Sequence, residues 1–172
     1  MRTSALPLQA LAGILYVLAQ VLLGSQLILF DRAFAFLYLG FLLLLPFEIG
    51  PIWLMLIGFL TGLFIDLFYD TVGVHAIACL VTMFLRPNMV NILMPQGGIE
   101  SGARPSLRTM GSSWFVPYAL VLIFIHHLVL FFVEAFTFRA FFFTLGNAFF
   151  STLITFASIV LLQLAFYPKQ RI

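Results

Sequence analysis

Apolar residues in this chain run in long, nearly unbroken blocks, without the polar interruptions that a water-facing helix or strand needs. Six such blocks stand out: Leu8–Phe30, Ala33–Pro46, Ile52–Tyr69, Gly73–Met94, Trp114–Phe136 and Ala140–Tyr167. About 20 apolar residues cross the hydrocarbon core as a helix. Inside lipid every backbone donor and acceptor needs a partner, so runs of this kind become helices. The pattern predicts an all-α fold: one polytopic membrane bundle of about six transmembrane helices, a single integral domain over residues 1–172.

The breaks have chemical reasons. Asp31-Arg32 is a charged turn, Pro46-Phe47-Glu48-Ile49-Gly50-Pro51 combines two prolines with a glycine, and Asp70-Thr71-Val72-Gly73 is a tight turn. Pro95–Ser113 is the long polar loop, and Glu134–Arg139 closes the last hairpin. Two blocks are irregular. The second is short and is expected to thin the bilayer or borrow loop residues. The fourth contains Arg86-Pro87, where proline removes a helix hydrogen bond. Its spanning part is expected to stop near Arg86, with Asn88–Met94 lying along the interface.

Composition agrees with the blocks. Hydrophobic residues make up 63% of the chain and charged ones 8%, against roughly 25% charged in soluble domains. That is too little charge to build a water-facing surface. A net charge of +2 without a basic run gives no footing for nucleic acid. Cys79 is the single cysteine, so no internal disulfide forms, and it reads as a small packing residue. The first block exceeds the roughly 7–15 residues of a signal-peptide core and reads as the first span. Trp53, Trp114, Tyr69, Tyr118 and Tyr167 fall near block ends, as an interfacial aromatic belt requires.

With six spans, Arg2, Arg104, Arg108, Lys169 and Arg171 share one side, and Arg32 and Arg139 the other. The excess of Lys and Arg places both termini and the long loop in the cytoplasm. Arg86 then lies near the cytoplasmic end of its span and is expected to snorkel outward.

The third block places Gly58, Gly62, Asp66 and Asp70 every four residues, on one drifting helix face. Small residues at this spacing admit another helix closely, either a partner's or one of the chain's own. Gly58→Leu and Gly62→Leu are expected to harm packing more than Gly40→Leu. Asp66 is a carboxylate inside a span, costing of order 2.5–3.5 kcal/mol unless it is paired or wet. His126, His127 and Glu134 sit in the fifth block. At 1.5 Å per residue, Asp66 lies roughly 21 Å and His126 roughly 18 Å above their helix starts. Asp70 and Glu134 lie near 27 and 30 Å by the same estimate. The expectation is an outer polar cluster of Asp66, Asp70, His75, His126, His127 and Glu134, with Asp66 paired to His126 or His127. No close metal-ligand spacing, nucleophile elbow or phosphate-binding glycine loop occurs. No catalytic residue, metal or cofactor is therefore expected. A proton relay through Asp66 and the histidines remains open, though no transporter-like repeat accompanies it.

These residues resemble a family. Gly58 to Gly62, Asp66, Asp70-Thr71-Val72-Gly73 and His75-Ala76 look like the central hairpin of the rod-shape-determining protein MreD. Phe84-Leu85-Arg86-Pro87, Leu45-Pro46-Phe47-Glu48, Pro95 with Gly97-Gly98, and Gly111 with Trp114, Phe115 and Tyr118 resemble its Bacteroidetes form, as do His126-His127, Phe131 and Glu134. The likeness covers roughly residues 40 to 155. It implies a non-catalytic scaffold of the cell-elongation complex in the bacterial cytoplasmic (inner) membrane, supporting cell shape and peptidoglycan synthesis. The implied partner is MreC, a single-span protein, with the cytoskeletal MreB, the glycosyltransferase RodA and a penicillin-binding transpeptidase reached indirectly. The family's six helices are similar to substrate-binding subunits of energy-coupling-factor transporters, so a vitamin-capture subunit is the rival. That rival calls for a roomy outer pocket and an Ala-x-x-x-Ala motif on span one, where Ala10, Ala12 and Ala19 have no such spacing.

Overall fold

The long helices begin and end where backbone chemistry dictates. The computed structural model describes residues 5–23, 28–29, 33–99, 103–136 and 141–166. Its elements are α1 (Ala5–Leu23), β1 (Ile28–Leu29), β2 (Ala33–Phe34), α2 (Tyr38–Leu43), α3 (Pro51–Tyr69), α4 (Val74–Ile92), α5 (Leu107–Met110), α6 (Ser112–Ala135) and α7 (Phe141–Phe166). Helix α3 opens on Pro51, whose missing N–H is no loss in the first turn. It ends at Asp70, which takes the left-handed conformation at φ 52°, one that aspartate tolerates better than most residues. Gly73, at φ 78°, completes the turn into α4.

Pro51–Tyr69, Ser112–Ala135 and Phe141–Ala165 are long and apolar enough to cross a membrane. The fold is a helical bundle in which α3 packs on α4, α4 on α6 and α6 on α7, with α1 against α2 and α3. Helix α1 takes up most of the first apolar block. Its described part runs to Leu23, and β1 and β2 pair antiparallel, Ile28 opposite Phe34 and Leu29 opposite Ala33.

The second block corrects the sequence reading most. Only six of its residues are helical, too few to cross a membrane as a helix. It is also the core of the bundle: Ala35–Gly40 and Leu42–Leu45 are all buried. Before α2 the chain leaves β2 through a short non-helical stretch, so its N–H groups lack helical partners. Side chains of other helices supply them. Ser151 Oγ accepts from Phe34 N at 3.0 Å, Thr155 Oγ1 from Phe36 N at 3.1 Å, and Gln20 Oε1 from Leu37 N at 2.6 Å. Irregular backbone at membrane depth is tolerated where it is enclosed by protein in this way.

The other end of α2 is closed by a cation. Arg86 is 1% exposed and does not reach outward as expected. Its guanidinium donates to Leu45 O and, at 2.8 Å, to Tyr118 Oη, while Tyr118 donates to Leu43 O at 2.8 Å. Positive charge at carbonyls left over beyond a helix C-terminus is favourable. Helix α4 also continues through Pro87 to Ile92, so the helix does not end near Arg86 and Asn88–Ile92 belong to it. Trp114 Nε1 closes this helix by donating to Leu93 O at 2.8 Å.

Candidate functional site: a buried polar layer

Asp66 stands in the last turn of α3, with the α3–α4 turn folding directly over it. Gly73 occupies the N-cap of α4 and has no side chain to satisfy the exposed N–H groups there. Asp66 does this from the preceding helix. Its Oδ1 accepts from His75 N at 3.0 Å and its Oδ2 from Ala76 N at 3.0 Å. Those are the second and third residues of α4, the pair that an N-cap carboxylate would reach. Oδ1 also accepts from Thr71 Oγ1 at 2.5 Å and lies 3.0 Å from His75 Nδ1. The aspartate is 3% exposed, and its histidine partner is His75, in place of the expected His126 or His127.

His126 and His127 are fully buried in α6 and bond elsewhere. His126 Nε2 lies 3.0 Å from Tyr38 Oη and 3.7 Å from Cys79 Sγ. His127 Nδ1 donates to Ile123 O at 2.8 Å, and its Nε2 is 3.3 Å from Thr155 Oγ1. The three imidazoles surround one ring: Phe36 lies 5.5, 6.0 and 5.3 Å, centroid to centroid, from His75, His126 and His127. Gln20 Nε2 donates to Tyr69 Oη at 2.9 Å, and the Tyr69 ring packs on His75 at 5.4 Å. Helices α1, α3, α4, α6 and α7 thus each contribute a polar side chain to one layer around the extended segment.

The layer is smaller than the predicted cluster on one side and larger on the other. Asp70 and Glu134 are exposed and do not enter it; Arg139 lies outside the described residues. Gln20, Tyr38, Tyr69, Ser151 and Thr155 enter without having been anticipated. Ser151 and Thr155 are four apart and share a helix face, a polar stripe within an apolar block that would have marked them. Among the described residues, no group of three or more His, Cys, Asp or Glu is placed to hold a metal.

Gly58 and Gly62 face α4 and leave no face there for a partner. A methyl on Gly62 would meet His75 O at 2.5 Å and Ala76 Cα at 2.6 Å; one on Gly58 would meet Met83 Cγ at 2.6 Å and Cys79 O at 3.1 Å. Gly40 is no neutral comparison, because a methyl there would lie 2.7 Å from the Tyr16 ring. Comparison of the chain with protein-family models, curated proteins and solved structures finds no match.

Proposed function

We propose that this chain is a non-catalytic membrane scaffold of the MreD type. It crosses the bacterial cytoplasmic membrane six times, with both termini and the Pro95–Ser113 loop in the cytoplasm. In this reading the broken second segment also crosses: at 1.5 Å per helical and 3.3 Å per extended residue, Phe34 to Leu43 covers about 20 Å of the roughly 30 Å core, and the flanking residues of the block cover the rest. The partner is a single-span MreC-like protein, through which the chain supports MreB, RodA and the transpeptidase in cell-wall elongation.

One observation carries the reading: the buried charges are spent on the chain's own backbone, while its outer faces are apolar. Asp66 closes the start of α4 and Arg86 closes the end of α2. Outside, α3 presents Ile52, Trp53, Leu60, Leu67 and Phe68, each more than half exposed. Such a molecule offers surface, and its function is contact. The vitamin-capture alternative needs room where Phe36 instead fills the space between three histidines.

Copurification from membranes in mild detergent tests this reading. Recovery of a single-span MreC-like protein with elongation enzymes is the expected result. Recovery of an ATPase pair together with a small ligand would replace the scaffold with the transporter subunit.

A further inference from the structure

We propose that the groove between α1 and α3 holds one acyl chain of a membrane phospholipid, seated in mid-bilayer as a filler between the two helices. The proposal needs α3 to lie in the membrane and rests on nothing in the scaffold reading. The groove is a cavity of about 400 Å³ that opens outward and is lined from α1, α2 and α3. On its inner side Gly13 is buried, and a methyl there would lie 2.7 Å from the Phe41 ring. Ile14 and Leu18 of α1 form one rim and Leu60 and Phe64 of α3 the other, each about half exposed.

Depth and chemistry narrow the occupant. Ile57 and Phe64 mark the extent of the groove along α3. At 1.5 Å per residue they lie about 9 and 8 Å from the two ends of a helix about 28 Å long. That helix is long and apolar enough to cross the membrane, so the groove opens onto hydrocarbon, away from the headgroups. The lining is apolar except for Thr61, whose hydroxyl donates to Ile57 O at 2.7 Å. No donor is left for water or a polar ligand.

Size decides between the apolar occupants. A partner helix is 10–12 Å across with its side chains and takes roughly 800 Å³ over the same rise, about twice the groove. It would ride on the rims and leave the bottom empty. Between helices in lipid, association comes from packing contacts and not from a hydrophobic gain. A void forfeits those contacts outright. An acyl chain is thinner and flexible, reaches Gly13 and Phe41, and restores them. What is held is the chain, so the headgroup is free to vary.

Native mass spectrometry of the full-length protein, released from nanodiscs of phosphatidylethanolamine or of phosphatidylglycerol, counts the lipid retained. One phospholipid per chain is expected from either composition. Thr61→Trp fills the groove and is expected to lose it, whereas Leu67→Trp, on the outward face of the same helix, keeps it. A phospholipid with a photoactivatable group at mid-chain, crosslinked to the wild-type protein after delipidation, is expected to map to Ile14–Leu18 and Leu60–Phe64. This map decides alone if Thr61→Trp does not fold. Wild-type protein that retains no lipid overturns the proposal, as do unchanged retention in Thr61→Trp, retention of one headgroup only, and crosslinks elsewhere. Disulfide dimers formed through Leu60→Cys in the bilayer would make the groove a helix-docking face and overturn it too.

Discussion

Asp66 shows how a charge inside a membrane helix is made tolerable. Its insertion cost, of order 2.5–3.5 kcal/mol, is set against four contacts, two of them with N–H groups that would otherwise be orphans at the head of α4. Asp66→Asn keeps an acceptor for part of this set and is expected to cost about 1–2 kcal/mol, the scale of one ordinary hydrogen bond. Asp66→Leu leaves the α4 N–H groups and His75 unpaired and is expected to cost about 3–5 kcal/mol, as when a buried pair loses one member. Thermal unfolding in detergent reads the difference; equal losses for Asn and Leu would remove the capping argument. That Asp66 needs a partner was legible from its place in an apolar block. Which partner was not, because matching heights along separate helices overlooks the short turn. Closing so few residues costs little chain entropy, and the turn lays the head of α4 onto the aspartate before a more distant helix is reached. The missing cap at Gly73 was the available clue.

At the scale of elements, the α3–α4 hairpin follows its sequence closely and α2 does not. The hairpin is held by backbone approach at two glycines. Gly62 meets backbone atoms of α4, which cannot yield, whereas Gly58 meets chiefly the flexible side chain of Met83. Gly146 in α7 has nothing within 4 Å of an added methyl. Gly62→Ala is therefore expected to destabilise most, by at least the roughly 1–3 kcal/mol of an overpacked core. Gly58→Ala comes next, and Gly146→Ala is neutral or stabilising through better helix propensity. Detergent-solubilised melting temperatures in a different order would contradict the packing. Helix α2 was misjudged for a physical reason. Ala33-Phe34-Ala35-Phe36-Leu37 contains no helix breaker, so nothing local announces an extended conformation. It is sustained by Ser151 and Thr155, 117 and 119 positions away from the amides they accept from. Local propensity yields to such tertiary partners, and a single apolar block does not display them.

For the whole molecule, orientation turns on whether α4 crosses the membrane. It is not among the three helices selected by length and apolarity, because it carries His75, Thr82 and Arg86 and, in its last turns, the exposed Asn88 and Asn91. His75, Thr82 and Arg86 are buried, at 4%, 0% and 1% exposure, while Ile77 and Phe84 face outward at 43% and 57%. Up to Pro87 its ionisable groups are turned inward, so that the helix presents lipid with an apolar surface, as intramembrane ionisable residues require. Its 19 residues span about 28 Å at 1.5 Å each, close to a hydrocarbon core of about 30 Å. In the six-span proposal, positions on either side of α4 belong to opposite faces of the membrane. Val72, 98% exposed in the α3–α4 turn, and Arg104, in the polar loop after α4, are the natural reporters. Cys79 is buried and is the single native thiol, so Cys79→Ser provides the background for single-cysteine variants. Val72→Cys is expected to react with an impermeant maleimide on intact cells with the outer envelope opened. Arg104→Cys is expected to react only after the inner membrane is permeabilised, since the proposed topology, drawn from the Lys and Arg excess, puts that loop in the cytoplasm. Labelling of Arg104→Cys alone on intact cells inverts the orientation, and labelling of both from outside means that α4 does not cross.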